Sequence, residues 1–394
     1  MNRLLAAPLA ALTLLSLTAC GSAPQTAEPT PEPPPPAVEE LAPVPQPEPT
    51  PEELAAQQVE SLLGSMTLEE KVGQLFFVRC PAENAVEDVR TYHLGGYILF
   101  GRDTKEKTAN ELIQAIQSYQ DAAAIPLLMG VDEEGGTVVR VSANPHLRSS
   151  KFQSPQKLFA SGGMDRVLAD TREKDVLLGA LGFNVNLAPV ADVSTNSNDF
   201  IYPRAFGQDA QATAEYVSAV TTQMSADGMG SVLKHFPGYG DNADTHTGIA
   251  VDDRPYEDFV NSDFLPFFAG FESGGDTTAV LVSHNIVACM DADLPASLSP
   301  EVHRILREEL GFDGVAMTDD LAMGAVSAYA GDGAVAVMAL EAGNDLVLTT
   351  DYRNQIPKVL EAVENGTLDE AVIDTACRRV LRWKQALGLL EGVV

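Results

Sequence analysis

The sequence predicts an α/β fold, a single (β/α)8 barrel of the TIM type. Short and almost wholly apolar runs recur along the chain, and most are followed by polar or Gly-rich residues and then by a longer helix-like stretch. Near-continuous apolar strands that alternate with helices indicate a parallel sheet covered by helices. Seven or eight such units in about 340 residues fit the size of a (β/α)8 barrel.

Each unit begins with a candidate strand rich in Val, Ile, Leu, Phe or Ala. The first strand is 75–78 or 96–100, and the others are 126–132, 183–187, 231–234, 279–283, 315–319 and 346–348. Helix-like patterns lie at 109–124, 210–226, 300–310 and 321–329, and the last helix is expected at 369–387.

Polar residues end several of these strands. Asp132 ends one strand, Lys234 and His235 end another, a Ser-His pair ends a third, and Asp319 with Asp320 ends a fourth. The carboxyl ends of barrel strands are where active sites lie. An open, doubly wound sheet would also place its ligand there. However, no Gly-rich nucleotide-binding loop follows the first strand, which argues against the nucleotide-binding version of that fold.

The first 19 residues are expected to be an export signal. Arg3 precedes an apolar run over 4–17, which leads into the sequence Leu-Thr-Ala-Cys-Gly. This pattern is typical of a lipoprotein signal that ends in a lipobox, so Cys20 would carry the lipid after cleavage. The apolar run is too short to span a bilayer.

Residues 20–51 are expected to form a disordered, acidic linker after the lipidated cysteine. Residues 22–51 hold 12 of the 25 prolines, and no Lys or Arg occurs between Arg3 and Lys71. A segment of this composition buries too little apolar surface to fold. The catalytic domain is then expected over 52–394, outside the cytoplasm and anchored to the bacterial envelope by lipid.

Charge and cysteine usage narrow the function classes. The formal net charge of −31 argues against a nucleic-acid partner, because such binding requires a concentrated basic face. Apart from Cys20 the chain has Cys80, Cys289 and Cys377, with no CxxC pair. We expect these three to be buried apolar fillers without a disulfide framework.

Two candidates for proton and nucleophile chemistry stand out. His246 has a pKa near neutrality, and Asp244 could fix its tautomer and stabilise its protonated form. A solvent-facing loop histidine is the alternative. Asp319 could be a nucleophile, a metal ligand or a cap for the following helix.

No metal or cofactor is expected at the segment 235–248. His235 and His246 are eleven residues apart, and no third nitrogen or sulfur ligand lies between them. This spacing does not match a zinc site, and 241–248 lacks the residue order of a calcium loop.

Cations are the informative minority in this acidic chain. Arg140, Arg204 and Lys234 could each donate to oxygens of a polar ligand, with Asp132 as an acceptor. Structural ion pairing between loops explains each of them equally well. Taken together, they favour a small polar substrate such as a sugar.

Several segments carry a resemblance to a known family. In chain order they are 66–75, 132–140, 186–193, 204–207, 234–240, 244–246 and 318–321. With these segments the chain resembles glycoside hydrolase family 3, and specifically its single-domain bacterial β-N-acetylglucosaminidases (β-hexosaminidases). The Asp-x-His tripeptide is similar to that of this branch. One position departs from the pattern, since Tyr239 stands where the family usually has histidine.

The resemblance implies a role for each matching residue. Asp319 would be the nucleophile, and His246 would be the general acid/base with Asp244 as its orienting partner. Asp320 would be structural. The terminal sugar would be held by Asp132, Arg140, Arg204, Lys234 and His235. The barrel alone is expected to suffice, without the further C-terminal domain of the family's larger members.

The expected function is a retaining exo-β-N-acetylglucosaminidase that acts on peptidoglycan fragments, chitin oligomers or glycans through a covalent glycosyl-enzyme. Neutral imidazole avoids like-charge repulsion with Asp319, and Asp244 restores its basicity. Alternatives left open are a phosphorylase, a glucosidase or xylosidase of the same family, and a non-catalytic sugar-binding lipoprotein. Carbohydrate and the membrane are the expected partners, and a monomer is expected.

Overall fold

The computed structural model describes residues 49–240, 242, 250–323, 326, 329 and 334–393. Short parallel strands of apolar residues run through this part of the chain. In order they are β1 (Phe76–Arg79), β2 (Gly96–Leu99), β3 (Leu128–Val131), β4 (Val185–Asn186), β5 (Gly230–Phe236), β6 (Val251–Asp252), β7 (Thr278–Val282), β8 (Ile286–Val287), β9 (Ala316–Thr318) and β10 (Val347–Thr349).

Eight of these described strands form one parallel sheet in the order β10-β1-β2-β3-β4-β5-β7-β9. Between the two ends of this sheet, Met317 forms a parallel bridge with Leu346, and the Thr318 amide donates to the Leu346 carbonyl at 3.1 Å. The sheet therefore closes on itself, which confirms the predicted (β/α)8 barrel. β6 and β8 form a separate two-stranded ladder.

The interior of the barrel is packed with side chains. Gly130 on β3 faces the Phe77 ring of β1: a Cβ atom added at this glycine would lie 2.3 Å from Phe77 Cζ and 3.1 Å from Leu187 Cδ1. Glycine at this position lets the strand approach the ring. The core therefore closes the barrel beneath the polar strand ends.

Helices cover the outside of the barrel, and several begin at threonine caps. Thr50, Thr67 and Thr108 each accept a hydrogen bond from the backbone three residues later, in capping boxes with Glu. The α-helices are α1 (Pro51–Ser65), α2 (Leu68–Gln74), α3 (Ala85–Tyr92), α4 (Gly101–Thr104), α5 (Ala109–Gln120), α6 (Pro155–Leu181), α7 (Ala210–Ala226), α8 (Tyr256–Asp258), α9 (Phe264–Gly274), α10 (Pro300–Arg304), α11 (Val335–Ala342), α12 (Tyr352–Glu364) and α13 (Glu370–Ala386). Two π-helical turns, Phe259–Asp263 and Ile305–Glu309, join α8 to α9 and extend α10.

The first helix belongs to the folded unit. Gln58 of α1 donates to the Leu390 and Val393 carbonyls at 2.9 Å each. Glu60 of α1 pairs with Arg378 of α13 at 2.5 Å. Because α1 begins at Pro51, its cap at Thr50 lies just before the predicted domain start at 52.

Some predicted elements differ from the observed ones. The predicted strand 183–187 is reduced to β4. Beside it, the Asn184 side chain adds hydrogen bonds to the neighbouring strand segment: it accepts from the Met129 amide at 2.8 Å and donates to the Leu127 carbonyl at 3.0 Å. The predicted helix 109–124 ends at Gln120. The predicted helix 321–329 lies mostly outside the described residues.

One cysteine prediction is wrong. Cys80 and Cys377 are buried, as expected, and burial raises the pKa of each thiol to about 12. Cys289 is exposed, because it lies in a turn after β8 instead of on a packed element. None of these three forms a disulfide. Across the described ranges, no helix combines the length and the apolar character needed to cross a membrane.

Candidate active site

A cleft of about 780 Å³ opens at the carboxyl ends of the barrel strands. Its apolar lining includes the buried strand residues Ile98, Leu281 and Leu348, together with Leu187, which directly follows β4. Its charged and imidazole lining consists of Arg79, Asp132, Glu134, Arg140, Arg204, Lys234, His235, Asp319 and Asp320. The fold thus brings together the sequence-predicted residues Asp132, Arg140, Arg204, Lys234, His235 and Asp319. Asp244, His246 and Cys20 lie outside the described residues.

Glu134 holds the two most buried cations of the cleft. Lys234 Nζ lies 2.7 Å from Glu134 Oε1 and 2.7 Å from Asp132 Oδ1. Arg204 forms a bidentate pair with Glu134, with Nε at 3.0 Å and Nη2 at 2.8 Å. Both cations are therefore ion-paired, which is one of the two alternatives that the sequence left open, and both also line the cleft.

The mutual charges of this cluster keep all three groups ionised. Burial acts to raise the pKa of Glu134, but the charges of Lys234 and Arg204 outweigh it and hold that pKa well below its usual range. Burial likewise acts to lower the pKa of Lys234, and Asp132 and Glu134 reverse the effect, so the pKa is raised. The cluster is therefore a fixed array of charges across neutral pH.

His235 is oriented by a buried carboxylate. Asp192, which is 1% exposed, lies 2.8 Å from His235 Nδ1 and also accepts the His235 amide at 3.1 Å. Arg204 Nη2 lies 3.2 Å from His235 Nε2. Because guanidinium can only donate, we assign Nε2 as the acceptor and Nδ1–H as the donor to Asp192. The ring is then held at both nitrogens.

The loop after β3 places Asp132 and Arg140 side by side. Glu133 is fully buried and accepts the backbone amides of Arg140 at 2.8 Å and Val141 at 2.7 Å, together with the Ser142 hydroxyl. This fold-back brings Arg140 Nη2 to 3.9 Å from Asp132 Oδ2. Glu133 therefore organises the loop, while its two neighbours 132 and 134 face the cleft.

Asp319 is positioned by the closure of the barrel. Its amide donates to the Val282 carbonyl of β7 at 3.1 Å, and its Oδ1 accepts the Asp320 amide at 2.8 Å. The preceding Thr318 hydroxyl oxygen accepts the Leu348 amide of β10 at 3.0 Å. Asp320 Oδ1 accepts the Ala322 amide at 2.9 Å, and burial raises the Asp320 pKa. Asp319 thus lies at the cleft directly after β9, and its backbone is held by β7.

Sequence reasoning missed Glu134, Asp192 and Arg79. Glu134 and Asp192 lie inside the segments that carried the family resemblance, but neither was given a role. Arg79 ends β1, and its guanidinium carbon lies 4.5 Å from the centroid of the Phe100 ring. Its Nε is buried without a hydrogen-bond partner in the described structure. The signal for Arg79 is the one that found Asp132, a polar residue that ends an apolar strand.

The described part of the chain contains no group of three or more His, Cys, Asp or Glu side chains arranged to hold a metal ion. Among the described residues, the polar lining of the cleft includes carboxylates, guanidinium groups, one ammonium and one imidazole. These groups are donors and acceptors suited to hydroxyl groups.

Comparisons with known proteins identify the family of this chain. Residues 67–383 match the family described as the glycosyl hydrolase family 3 N terminal domain. A beta-hexosaminidase of Xanthomonas campestris pv. campestris (strain B100) is 35% identical over 303 residues, which cover 75% of this chain and 88% of the relative. Another from Xanthomonas axonopodis pv. citri (strain 306) is 37% identical over 308 residues, covering 76% and 88%.

Solved structures give the same result. A glycoside hydrolase family 3 beta-N-acetylglucosaminidase from Paenibacillus sp. str. FPU-7 superposes with a TM-score of 0.76 and 31% identity, covering 84% of this chain and 64% of that one. A beta-N-acetylhexosaminidase from Beutenbergia cavernae DSM 12333 superposes with a TM-score of 0.71 and 31% identity, covering 82% and 99%. The chain belongs to glycosyl hydrolase family 3, and its relatives place it among glycoside hydrolases of the β-N-acetylhexosaminidase type.

Proposed function

We propose that the protein is a retaining exo-β-N-acetylglucosaminidase that removes terminal, non-reducing β-GlcNAc from peptidoglycan fragments, chitin oligomers or glycans. The observation that carries the proposal is that Asp319, at the end of β9, shares one cleft with the Asp132–Lys234–Glu134–Arg204 cluster. The relatives named beta-hexosaminidase support the choice of terminal sugar.

The charged cluster keeps hydrogen-bonding capacity for a sugar. Lys234 has three N–H donors and uses two of them on Asp132 and Glu134. Arg204 spends Nε and Nη2 on Glu134, which leaves Nη1 for a ligand. Asp132 Oδ2 is 3.9 Å from Arg140, so this oxygen can accept from a sugar hydroxyl. In the proposal these groups hold the terminal sugar by its hydroxyls.

The proposed reaction has two displacements. In the first, an Asp319 oxygen bonds to the anomeric carbon, the glycosidic C–O bond breaks, and the leaving oxygen takes a proton from His246. In the second, water gives a proton to His246 and bonds to the same carbon as the ester bond to Asp319 breaks. Asp244 stabilises the protonated imidazole in this scheme. Two inversions at one carbon retain the β configuration.

The test uses soluble protein that begins at Pro49, which preserves the Thr50 cap of α1. It is incubated with nitrophenyl β-GlcNAc, diacetylchitobiose and muropeptides, and the products are identified by mass. Proton NMR of the first product should show the β anomer. Asp319→Asn should abolish turnover, since a neutral amide cannot form the glycosyl ester, while retaining the wild-type melting temperature.

Other outcomes would contradict parts of the proposal. An α anomer as first product would exclude the retaining mechanism. Formation of GlcNAc-1-phosphate in phosphate buffer would make the enzyme a phosphorylase. Faster cleavage of glucosides or xylosides would show that GlcNAc is not the preferred terminal sugar. Full activity of Asp319→Asn would exclude Asp319 as the nucleophile.

The role proposed for His246 has its own readout. His246→Ala should lower kcat by about 10²- to 10⁴-fold on diacetylchitobiose, because its leaving group needs a proton. Dinitrophenyl β-GlcNAc has a good leaving group, so its first step should be much less affected. Equal losses on both substrates would contradict the acid/base assignment.

We also propose that the enzyme acts outside the cytoplasm, anchored by a lipid on Cys20. The support is the signal-like sequence 1–19 and its lipobox. In cells, Cys20→Ser should move the protein from the membrane fraction to the soluble fraction and abolish incorporation of labelled palmitate. Unchanged membrane association without labelling would exclude the lipid anchor.

A further inference from the structure

Phe200 places an exposed aromatic ring on the wall of the cleft. It lines the same cavity as Asp319 and Lys234, and it is 41% exposed. Large aromatic side chains bury apolar area when they can, so an exposed ring in a ligand cleft indicates contact with a ligand. The ring lies four residues before Arg204, on the loop that leads to that sugar-facing cation.

The Phe200 ring has a buried support. Tyr239 is 3% exposed, and its ring centroid lies 5.7 Å from that of Phe200 with an interplanar angle of 37°. Tyr239 packs with the buried side chains of Val190 and Ile201 in a small apolar cluster. It also meets the His235 ring edge to face, at 5.5 Å. The exposed ring is thereby tied to the histidine that faces the terminal sugar.

Hydrogen bonds hold the backbone around Phe200. The Ser194 hydroxyl donates to Asp199 Oδ2 at 2.7 Å, and the Asn196 amide nitrogen Nδ2 donates to Asp199 Oδ1 at 2.9 Å. On the other side, the Arg204 amide donates to the Ile201 carbonyl at 2.9 Å. Phe200 therefore sits on a braced loop, which reduces the entropy lost when a ligand packs on the ring.

Depth in the cleft indicates which part of a substrate meets the ring. The residues proposed to hold the terminal sugar are deep: Lys234 is 2% and His235 6% exposed. An exo-acting enzyme binds the terminal sugar at the closed end, so the rest of the substrate leaves past the rim. Phe200 lines the same cleft but is 41% exposed, so its ring is open to solvent where those two side chains are not.

We propose that Phe200 is the stacking platform for the first sugar ring of the leaving group, and that it sets a preference for pyranose leaving groups. The apolar C–H face of a pyranose packs on the face of an aromatic ring, and burial of both faces from water stabilises the contact. Tyr239, the one departure from the family pattern noted in the sequence, supports this platform from below. The inference rests on the proposed glycosidase function.

The test compares two substrates that differ only in the leaving group. Diacetylchitobiose leaves a sugar ring, whereas methyl β-GlcNAc leaves methanol and has no ring to stack. Phe200→Ala should raise KM for diacetylchitobiose about fivefold to tenfold with little change in kcat. Its kcat/KM for methyl β-GlcNAc should stay within about twofold of wild type. Phe200→Trp, which keeps an aromatic face, should retain the wild-type preference.

Phe268→Ala is the matched control, because Phe268 is 50% exposed on α9 and is absent from the cleft lining. This substitution should leave kcat and KM for both substrates at their wild-type values. Equal losses on both substrates in Phe200→Ala, or no loss on diacetylchitobiose, would overturn the platform. If the wild type cleaves neither substrate, the proposed function fails instead, and calorimetric binding of chitotriose then decides: equal Kd values for wild type and Phe200→Ala overturn the inference.

Discussion

At the scale of single residues, Glu134 determines where two cations of the cleft can be. It is 5% exposed and contacts both Lys234 and Arg204, so it fixes the positions of these two donors in the cleft. Taking a carboxylate out of water is costly unless it is paired, and here two partners offset that cost. The cluster depends on this one side chain more than on either cation.

We therefore expect Glu134→Gln to impair both stability and catalysis. The amide keeps the shape but leaves two buried cations with less compensating charge, which should lower the free energy of unfolding by about 3–5 kcal/mol. Displacement of Lys234 and Arg204 should lower kcat/KM by at least about 100-fold. Denaturant titration and steady-state kinetics measure the two effects.

Glu301→Gln is the control for this prediction. Glu301 pairs with Arg304 at 2.7 Å on an exposed helix face, where solvent screens the ion pair. Its loss should leave both the free energy of unfolding and the steady-state kinetics close to the wild-type values. Wild-type kcat/KM in Glu134→Gln would show that the cations hold their positions without it.

The sequence could identify Asp132 but not the role of its second neighbour. Three acidic residues in a row, 132–134, look alike in a sequence, and only the fold-back of 140–142 onto Glu133 shows which of them faces the loop. In extended chain alternate side chains point to opposite sides. That alternation pairs Asp132 with Glu134 and could have assigned both to the cleft.

At the scale of elements, the strands were predictable because their apolar runs reflect burial on both faces. The observed β5, β7 and β9 lie within two residues of the predicted ranges. Barrel closure was predicted only from the number of units and their size, because the bridge between Met317 and Leu346 that closes the sheet leaves no pattern of its own in the sequence. Without that contact, a doubly wound sheet explained the same pattern.

The interior of the barrel gives a prediction at the β3 strand. Gly130→Ala would place a methyl group 2.3 Å from Phe77 Cζ, so the ring or the strand must shift. We expect a loss of about 1–3 kcal/mol in the free energy of unfolding, measured by denaturant titration. Adding Phe77→Leu should recover part of this loss, because the smaller side chain makes room for the methyl group.

Gly64→Ala should change the free energy of unfolding in the opposite direction. A Cβ atom at Gly64 would meet nothing within 4 Å on the exposed face of α1, so alanine should stabilise the helix by about 0.4–1 kcal/mol. If Gly64→Ala and Gly130→Ala changed the free energy of unfolding by the same amount, backbone entropy, and not the contact with the Phe77 ring, would determine the effect of Gly130→Ala.

At the scale of the whole molecule, a buried lysine links stability to pH. Lys384 is fully buried, and Nζ donates to Gln74 Oε1 at 2.6 Å. Burial lowers its pKa to about 7. The unfolded chain keeps this proton up to a pKa of 10.5, so between these values the unfolded state binds more protons, and raising the pH favours the folded state.

We expect the unfolding free energy of wild type relative to Lys384→Met to rise by about 1 kcal/mol per pH unit between pH 8 and 10. Subtracting the unfolding free energy of Lys384→Met from that of wild type cancels the contributions of the other titrating groups. One of these is Asp175, whose pKa burial raises to about 8. Below that pH, Asp175 makes the unfolding free energy fall as the pH rises, which is opposite to the effect of Lys384. Denaturant titrations at each pH give the values. The control is Lys105→Met, since the Lys105 side chain is 75% exposed. A constant difference between wild type and Lys384→Met would show that Lys384 is charged in the fold.

Asp192 connects the segment that follows β4 with the segment that follows β5. One carboxylate orients the His235 ring through one oxygen and accepts the Tyr239 amide through the other, at 2.8 Å. Tyr239 comes five residues before Asp244 and seven before His246 in the chain. A transplant of the segment 235–246 into another barrel would therefore have to include Asp192, because the carboxylate that holds His235 and Tyr239 lies more than forty residues earlier in the chain.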